Sequence, residues 1–209
     1  MKYLILILWC ISSSVFGQSS TAEFDGKTWV APYELRIPEG WGVERFPIPI
    51  SFAPEIAYKG VEDLRFAPGW AKSLSEEYWS YAFLWYIDGC HQTNVKKLSA
   101  DLKTYYNGLV ASMRSDRSKD KKVPVLTKIK AIKREANDLQ TFRGTVQILD
   151  YMQNKPITLN CKIHLRTMVN LQKTILFFEL SPQPLGHKVW QNLDSLWADF
   201  RHDPKTDSN

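Results

Sequence analysis

SLSEEYWSYAFLWYIDG, residues 73–89, is the stretch on which the reading of the fold turns. Ser73 followed three residues later by Glu76 has capping-box spacing, and Gly89 stands where a helix C′ glycine is favoured. Between them Tyr78, Trp79, Tyr81, Ala82, Phe83, Leu84, Trp85, Tyr86 and Ile87 leave almost no polar face. The pattern predicts a central helix over 74–87, apolar nearly all round and therefore largely buried.

Downstream, Val95, Leu98, Leu102, Tyr105, Leu109 and Met113 recur at helical spacing with Lys96, Lys97, Asp101 and Lys103 opposite, which predicts an amphipathic helix over 95–113. A charged connector, SDRSKDKKV, follows at 115–123. Extended segments are then expected at 123–133, 141–152, 157–168 and 174–180, with Gln153-Asn154-Lys155-Pro156 as a hairpin loop. Four such segments in succession read as an antiparallel meander. Pro182 and Pro184 stop the sheet, and Val189, Trp190, Leu193, Leu196, Trp197 and Phe200 place one apolar stripe on a closing helix over 187–200. Upstream, Tyr33, Leu35 and Ile37 alternate with Glu34 and Arg36 as a strand. Pro38-Glu39-Gly40 turns the chain, 42–48 returns as its hairpin partner, and one more short strand is expected around 61–66. The fold class is α+β, an antiparallel sheet of an N-terminal hairpin plus a four-strand meander, packed with two central helices and a C-terminal helix.

The first seventeen residues, MKYLILILWCISSSVFG, read as a secretory signal peptide. Lys2 supplies the positive start, 3–11 is apolar, and Val15-Phe16-Gly17 suits a cleavage site. Lipid attachment at Cys10 is disfavoured by the bulky Trp9 before it. The expected organisation is a leader at 1–17, a flexible lead-in at 18–28, a single domain at 29–202 and a tail at 203–209. No second long apolar run follows, so no transmembrane segment is expected in the mature chain. The leader directs the protein to a secreted or periplasmic location.

The chain has 209 residues with a net charge of +5, and its 8 Trp, 9 Tyr and 10 Phe supply ample apolar surface for a core. Beyond the leader two cysteines remain, Cys90 and Cys161. In an oxidising compartment they form a candidate disulfide, worth about 4 kcal/mol in the chain-entropy model; the alternative is two separate thiols, with Cys161 buried on a strand face. Cys90-His91 and Cys161-x-x-His164 do not make a metal site, because positions i and i+3 of a strand point to opposite faces. No metal and no cofactor are expected.

Among candidate binding residues, the segment 62–70 gathers Glu62, Asp63, Arg65 and Trp70 in a mixture of acids, a guanidinium and aromatics typical of functional loops. The competing reading places Phe66 and Trp70 in the core and pairs Arg65 with Glu62 or Asp63 at the surface. Glu76 and Glu77 are explained by the first turn of a helix. Asp150 falls in phase with the apolar face of its strand and is read as sitting on the rim, where the strand ends at Leu149. The basic stretch 114–134 would suit nucleic acid in a cytoplasmic protein; given the leader, it reads as a lysine-protected edge strand, and no nucleic acid partner is expected. Phosphate-loop, nucleophile-elbow, zinc-protease and calcium-loop motifs are lacking.

The phrases YELRIPEGW, VEDLRFAPGW, EEYWSYAFLW and FFELSPQP resemble those of uncharacterised secreted bacterial proteins, a family to which no activity attaches. At fold level, the strand with P-E-G-W, the antiparallel sheet and the closing Trp-bearing helix are similar to the PsbP/Mog1-like α+β sandwich. The expected function is a secreted or periplasmic binding domain for an unknown protein or envelope component. The alternative is a hydrolase-like envelope enzyme with its site near 62–70, joined by a further acid or histidine such as Asp150 or His164.

Overall fold

A computed structural model of the chain describes residues 24–114 and 123–202. The expected leader at 1–17, the expected tail at 203–209 and most of the charged connector lie outside them. The described chain runs β1 (Tyr33–Glu34), β2 (Gly42–Ile48), β3 (Gly60–Phe66), β4 (Tyr81–Asp88), α1 (Val95–Ser112), β5 (Leu126–Ile132), β6 (Gln140–Asp150), β7 (Lys155–Met168), β8 (Lys173–Ser181), α2 (Val189–Ala198) and β9 (Arg201–His202). The fold is α+β. Seven strands form one antiparallel sheet in the order β2-β3-β4-β8-β7-β6-β5, and β1 pairs with β9 in a separate two-stranded ribbon.

The four-strand meander is present as β5–β8, and both amphipathic helices form where their apolar stripes place them. Asn94 caps α1, its side chain accepting the Lys97 backbone N–H at 3.0 Å. The expected central helix over 74–87 is not a helix. Residues 67–79 form successive turns, with the Gly69 N–H donating to the Glu77 carboxylate at 2.8 Å. Trp79 adopts a left-handed backbone at φ 53°, which a continuing helix does not tolerate. The apolar run then becomes β4, the centre of the sheet. A strand covered on both faces needs apolar residues at every position, so its sequence shows the same all-round hydrophobicity as a buried helix. The described residues therefore hold two α-helices.

The expected N-terminal hairpin is also absent. The turn at Pro38 exists, closed by Trp41 N–H to the Pro38 carbonyl at 3.1 Å with Gly40 at φ 75°. It leads out of one sheet into the other: β2 pairs with β3, and Tyr33 and Leu35 pack beneath the sheet with α2.

Two cores result, one on each face. Tyr81, Phe83, Trp85 and Ile87 of β4 face α1, whose Leu98, Leu102, Tyr105 and Tyr106 cover them; the rings of Phe83 and Tyr105 stack 5.2 Å apart. Ala82, Leu84 and Tyr86 face the other way, with Ile175 and Phe177, under Trp190, Leu193, Leu196 and Trp197 of α2. β5 is an outer edge, and its Lys128 and Lys130 are exposed.

Candidate functional site

The strand alternation that builds two cores also separates the four candidate residues. Glu62 and Trp70 lie on the α1 side, Asp63 and Arg65 on the α2 side. Glu62 is wholly buried, accepting the Trp85 indole N–H at 3.0 Å, and burial pushes its carboxyl up to about 7. Trp70 packs against Phe66 at 4.6 Å. Arg65 pairs with Asp63, as one reading expected, but in the interior: its side chain is 1% exposed. All five of its N–H groups have acceptors, in the carbonyls of Leu35, Arg36 and Leu64 and both oxygens of Asp63. Tyr33 at 3.2 Å and Arg45 at 3.1 Å complete Asp63. This cluster fastens the 33–36 segment to β3, and Arg65 has no donor left for a ligand.

Cys90 and Cys161 are both free thiols, and the expected disulfide does not form. Cys161 on β7 lies level with Leu180 and hence with Tyr81, at one end of β4, while Cys90 follows Asp88 at the other. That strand spans about 23 Å, against a Cα separation below about 7 Å for a disulfide. Burial pushes the Cys161 thiol up to about 12. Asp150 is not on the rim: it is fully buried, accepting the Tyr78 hydroxyl at 2.7 Å and the Met152 and Gln153 backbone N–H groups.

The densest polar constellation lies instead beneath α2. Lys162, His164 and Arg166 alternate along the α2 face of β7, opposite the apolar Cys161, Ile163 and Leu165. Glu179 of β8 and Asp138 of the β5–β6 loop face them. His164 Nδ1 is 2.7 Å from Asp138 Oδ2, and its Nε2 is 3.5 Å from Glu179. Thr141 Oγ1 donates to Asp138 Oδ2 at 2.6 Å and Trp197 Nε1 to Oδ1 at 2.9 Å. Lys162 pairs with Asp194 of α2, with Glu135 at 3.5 Å and Glu179 at 3.7 Å. Burial works to lower the His164 pKa, yet Asp138 and Glu179 outweigh it and push it up to about 9. Burial raises Glu179 to about 7 against the pull of His164 and Lys162.

His164 is thus an imidazolium at neutral pH with both nitrogens turned towards carboxylates. A general base needs a free lone pair aimed at a substrate, so the arrangement is a buried ionic lock between sheet and helix.

Arg166 differs from every other member. Its guanidinium carbon sits 3.8 Å from the Trp197 ring centre and 5.6 Å from that of Phe200, and its Nε is 3.6 Å from Asp138 Oδ1, beyond hydrogen-bond reach. Its Nε has no hydrogen-bond partner, so Asp138 holds it as an ion pair alone, and its side chain is 19% exposed. Burial lowers its pKa, against the pull of Asp138. It lines a groove of about 1060 Å³ at the end of the sheet where β6 begins, with Arg134, Leu139, Leu165 and Val169 among its walls and Cys90 to Val95 bordering it. Arg166 and Asp138 stand outside the four residues singled out from sequence. Their signal was the basic alternation Lys162-x-His164-x-Arg166 within an otherwise apolar strand.

Among the described residues no group of three or more His, Cys, Asp and Glu side chains is placed to hold a metal, and no helix is long and apolar enough to cross a membrane. Comparison with family models, with curated proteins and with solved structures finds no match. The function is therefore argued from the site alone.

Proposed function

We propose that this chain is a secreted or periplasmic binding domain and that the groove beside Arg166 is its binding surface. The observation that carries the reading is the contrast between two arginines. Arg65 has an acceptor for each of its N–H groups, whereas Arg166, stacked on Trp197 and ion-paired with Asp138 at 3.6 Å, lines the groove with no hydrogen-bond acceptor at its Nε. A partly buried guanidinium whose hydrogen bonds are incompletely met is costly, and an arriving anion relieves that cost. The groove's walls are formed by strand residues and their adjoining loops, which suits a preorganised site. The location rests on the leader of residues 1–17.

The alternative, a hydrolase-like envelope enzyme around 62–70, finds no shared cleft at Glu62, Asp63, Arg65 and Trp70, which point to opposite faces. Asp150 and His164 do not join them: Asp150 binds Tyr78, and His164 lies between Asp138 and Glu179.

Copurification of the tagged full chain from its native envelope, read by mass spectrometry for proteins and small molecules, tests the proposal. The expected result is a species retained by the wild type and lost from Arg166→Ala, with a mature N-terminus at Gln18 in the exported fraction. Retention of the same species by both proteins would remove the groove from the reading.

A further inference from the structure

Resting on that reading of the groove, the ladder around it narrows the class of ligand. β6 pairs with β7 from Asp150↔Lys155 to Gln140↔Leu165, and the Leu139 N–H closes on the Leu165 carbonyl at 2.7 Å. β7 and β8 continue together as far as Met168↔Lys173. Residues 166–168 are therefore paired with β8 alone, and among the described residues no strand lies on their other side. The chain before β6 bends away at Asn137, φ 65°, so that this short edge lies inside the groove, whose walls include Leu165, Arg166, Thr167, Met168 and Val169.

An unpaired edge is a template for another extended chain. The outer edges of the sheet are blunted in the usual ways, β5 by exposed Lys128 and Lys130 and β2 by Pro47. The inner edge at 166–168 has neither proline nor lysine. It is flanked by Arg166, a cation whose Nε has no hydrogen-bond acceptor, and by Leu139 and Val169, which are 57% and 65% exposed.

We propose that the groove receives an extended peptide segment of a partner protein as an added strand on the β7 edge, with an Asp or Glu of that segment paired to Arg166. Main-chain hydrogen bonds to Thr167, whose N–H and C=O turn away from β8 while those of Arg166 and Met168 turn towards it, hold the segment, and alternate side chains set its specificity. The carboxylate meets the guanidinium on the α2 face, and neighbouring apolar residues of the segment cover Leu139 and Val169.

Random heptapeptides displayed on phage and selected against the full chain supply the probe. The expected outcome is a set of sequences sharing one acidic residue among apolar ones. Their affinity falls about tenfold or more on Arg166→Ala and equally when the peptide's acid is made an amide. Binding is lost when alternate peptide amides are N-methylated, whereas Lys128→Ala has no effect. Should Arg166→Ala fail to fold, the amide and N-methyl peptides read the same two contacts on the wild type. Selected peptides without an acid, or indifferent to N-methylation, overturn the inference. Dodecanoate titrated into the same proteins separates the two levels. Arg166-dependent binding of dodecanoate without any peptide binding overturns the added strand and keeps the groove as a binding surface. Binding of neither probe overturns both.

Discussion

Trp197 donates its indole N–H to Asp138 Oδ1 at 2.9 Å while the face of the same ring carries the Arg166 guanidinium at 3.8 Å. One side chain of α2 thus closes the buried ionic network and supports the groove's cation. The two roles separate by substitution. Trp197→Phe keeps an aromatic face and removes the donor, so stability falls by about 1–3 kcal/mol, the cost of leaving a buried acceptor unpaired. Trp197→Ala removes both and costs about 3–5 kcal/mol. Urea denaturation measures each; an unchanged Trp197→Phe would deny the hydrogen bond its contribution, and equal losses for the two variants would deny the ring its own.

Breaking the Arg65–Asp63 pair leaves an uncompensated buried charge. Asp63→Ala is expected to cost about 3–5 kcal/mol, and because Arg65 also holds the Leu35 and Arg36 carbonyls, Arg65→Ala frees the 33–36 segment. Hydrogen exchange should show that segment opening. Peptide binding at the groove should be unaffected in whatever fraction remains folded.

Stability declines as pH rises from about 4.5 to about 9. The folded-state pKa values of His164, Glu179 and Glu62 are all raised, to about 9, 7 and 7. A raised group favours the fold fully below its unfolded value and loses that contribution as pH climbs through its folded one. Asp138, held below its usual range by His164, Thr141 and Trp197 against the effect of burial, contributes in the opposite sense and is lost only under strong acid. Tm measured from pH 5 to 9 should therefore fall on the alkaline side. Glu62→Gln should flatten the part of the fall that ends near 7; an unchanged slope would show that Glu62 does not ionise there.

The two thiols should differ sharply in reactivity. Cys90 is exposed and is expected to label at once with a thiol reagent in the folded protein. Cys161, at 0% exposure with its pKa pushed up to about 12, labels only on unfolding. Reductant should leave Tm unchanged, whereas a reductant-sensitive Tm would reveal a bond between them.

Much of the pattern was legible in the sequence: α1 and α2 from their stripes, β5–β8 as successive extended segments, β3 as a short strand within a stretch punctuated by proline and glycine. β4 was not, because burial on both faces erases the alternation that marks a strand, and the Ser73–Glu76 spacing imitates a helix start. The β1–β9 and β2–β3 pairings escaped because a turn signal at Pro38–Gly40 says that the chain reverses without saying which sheet it joins. The site was partly hidden for the same reason. Adjacency in 62–70 suggested one cluster, but a strand sends neighbours to opposite faces, while Asp138 and Arg166 meet only through the β5–β6 loop and the β7–α2 contact.

The pairing of β4 with β8 has a consequence for how the chain acquires its structure. On either side of that seam the sheet is a local meander, each strand bonded to its neighbour in sequence. The seam itself joins Tyr81–Asp88 to Lys173–Ser181, so loop closure between distant parts of the chain concentrates there. A nascent chain has made its most aromatic strand long before it has made that strand's partner, and from Asp88 to Lys173 synthesis proceeds with one side of β4 open. This interval is when the chain is most exposed to aggregation or capture by a chaperone, and the completion of β8 ends it.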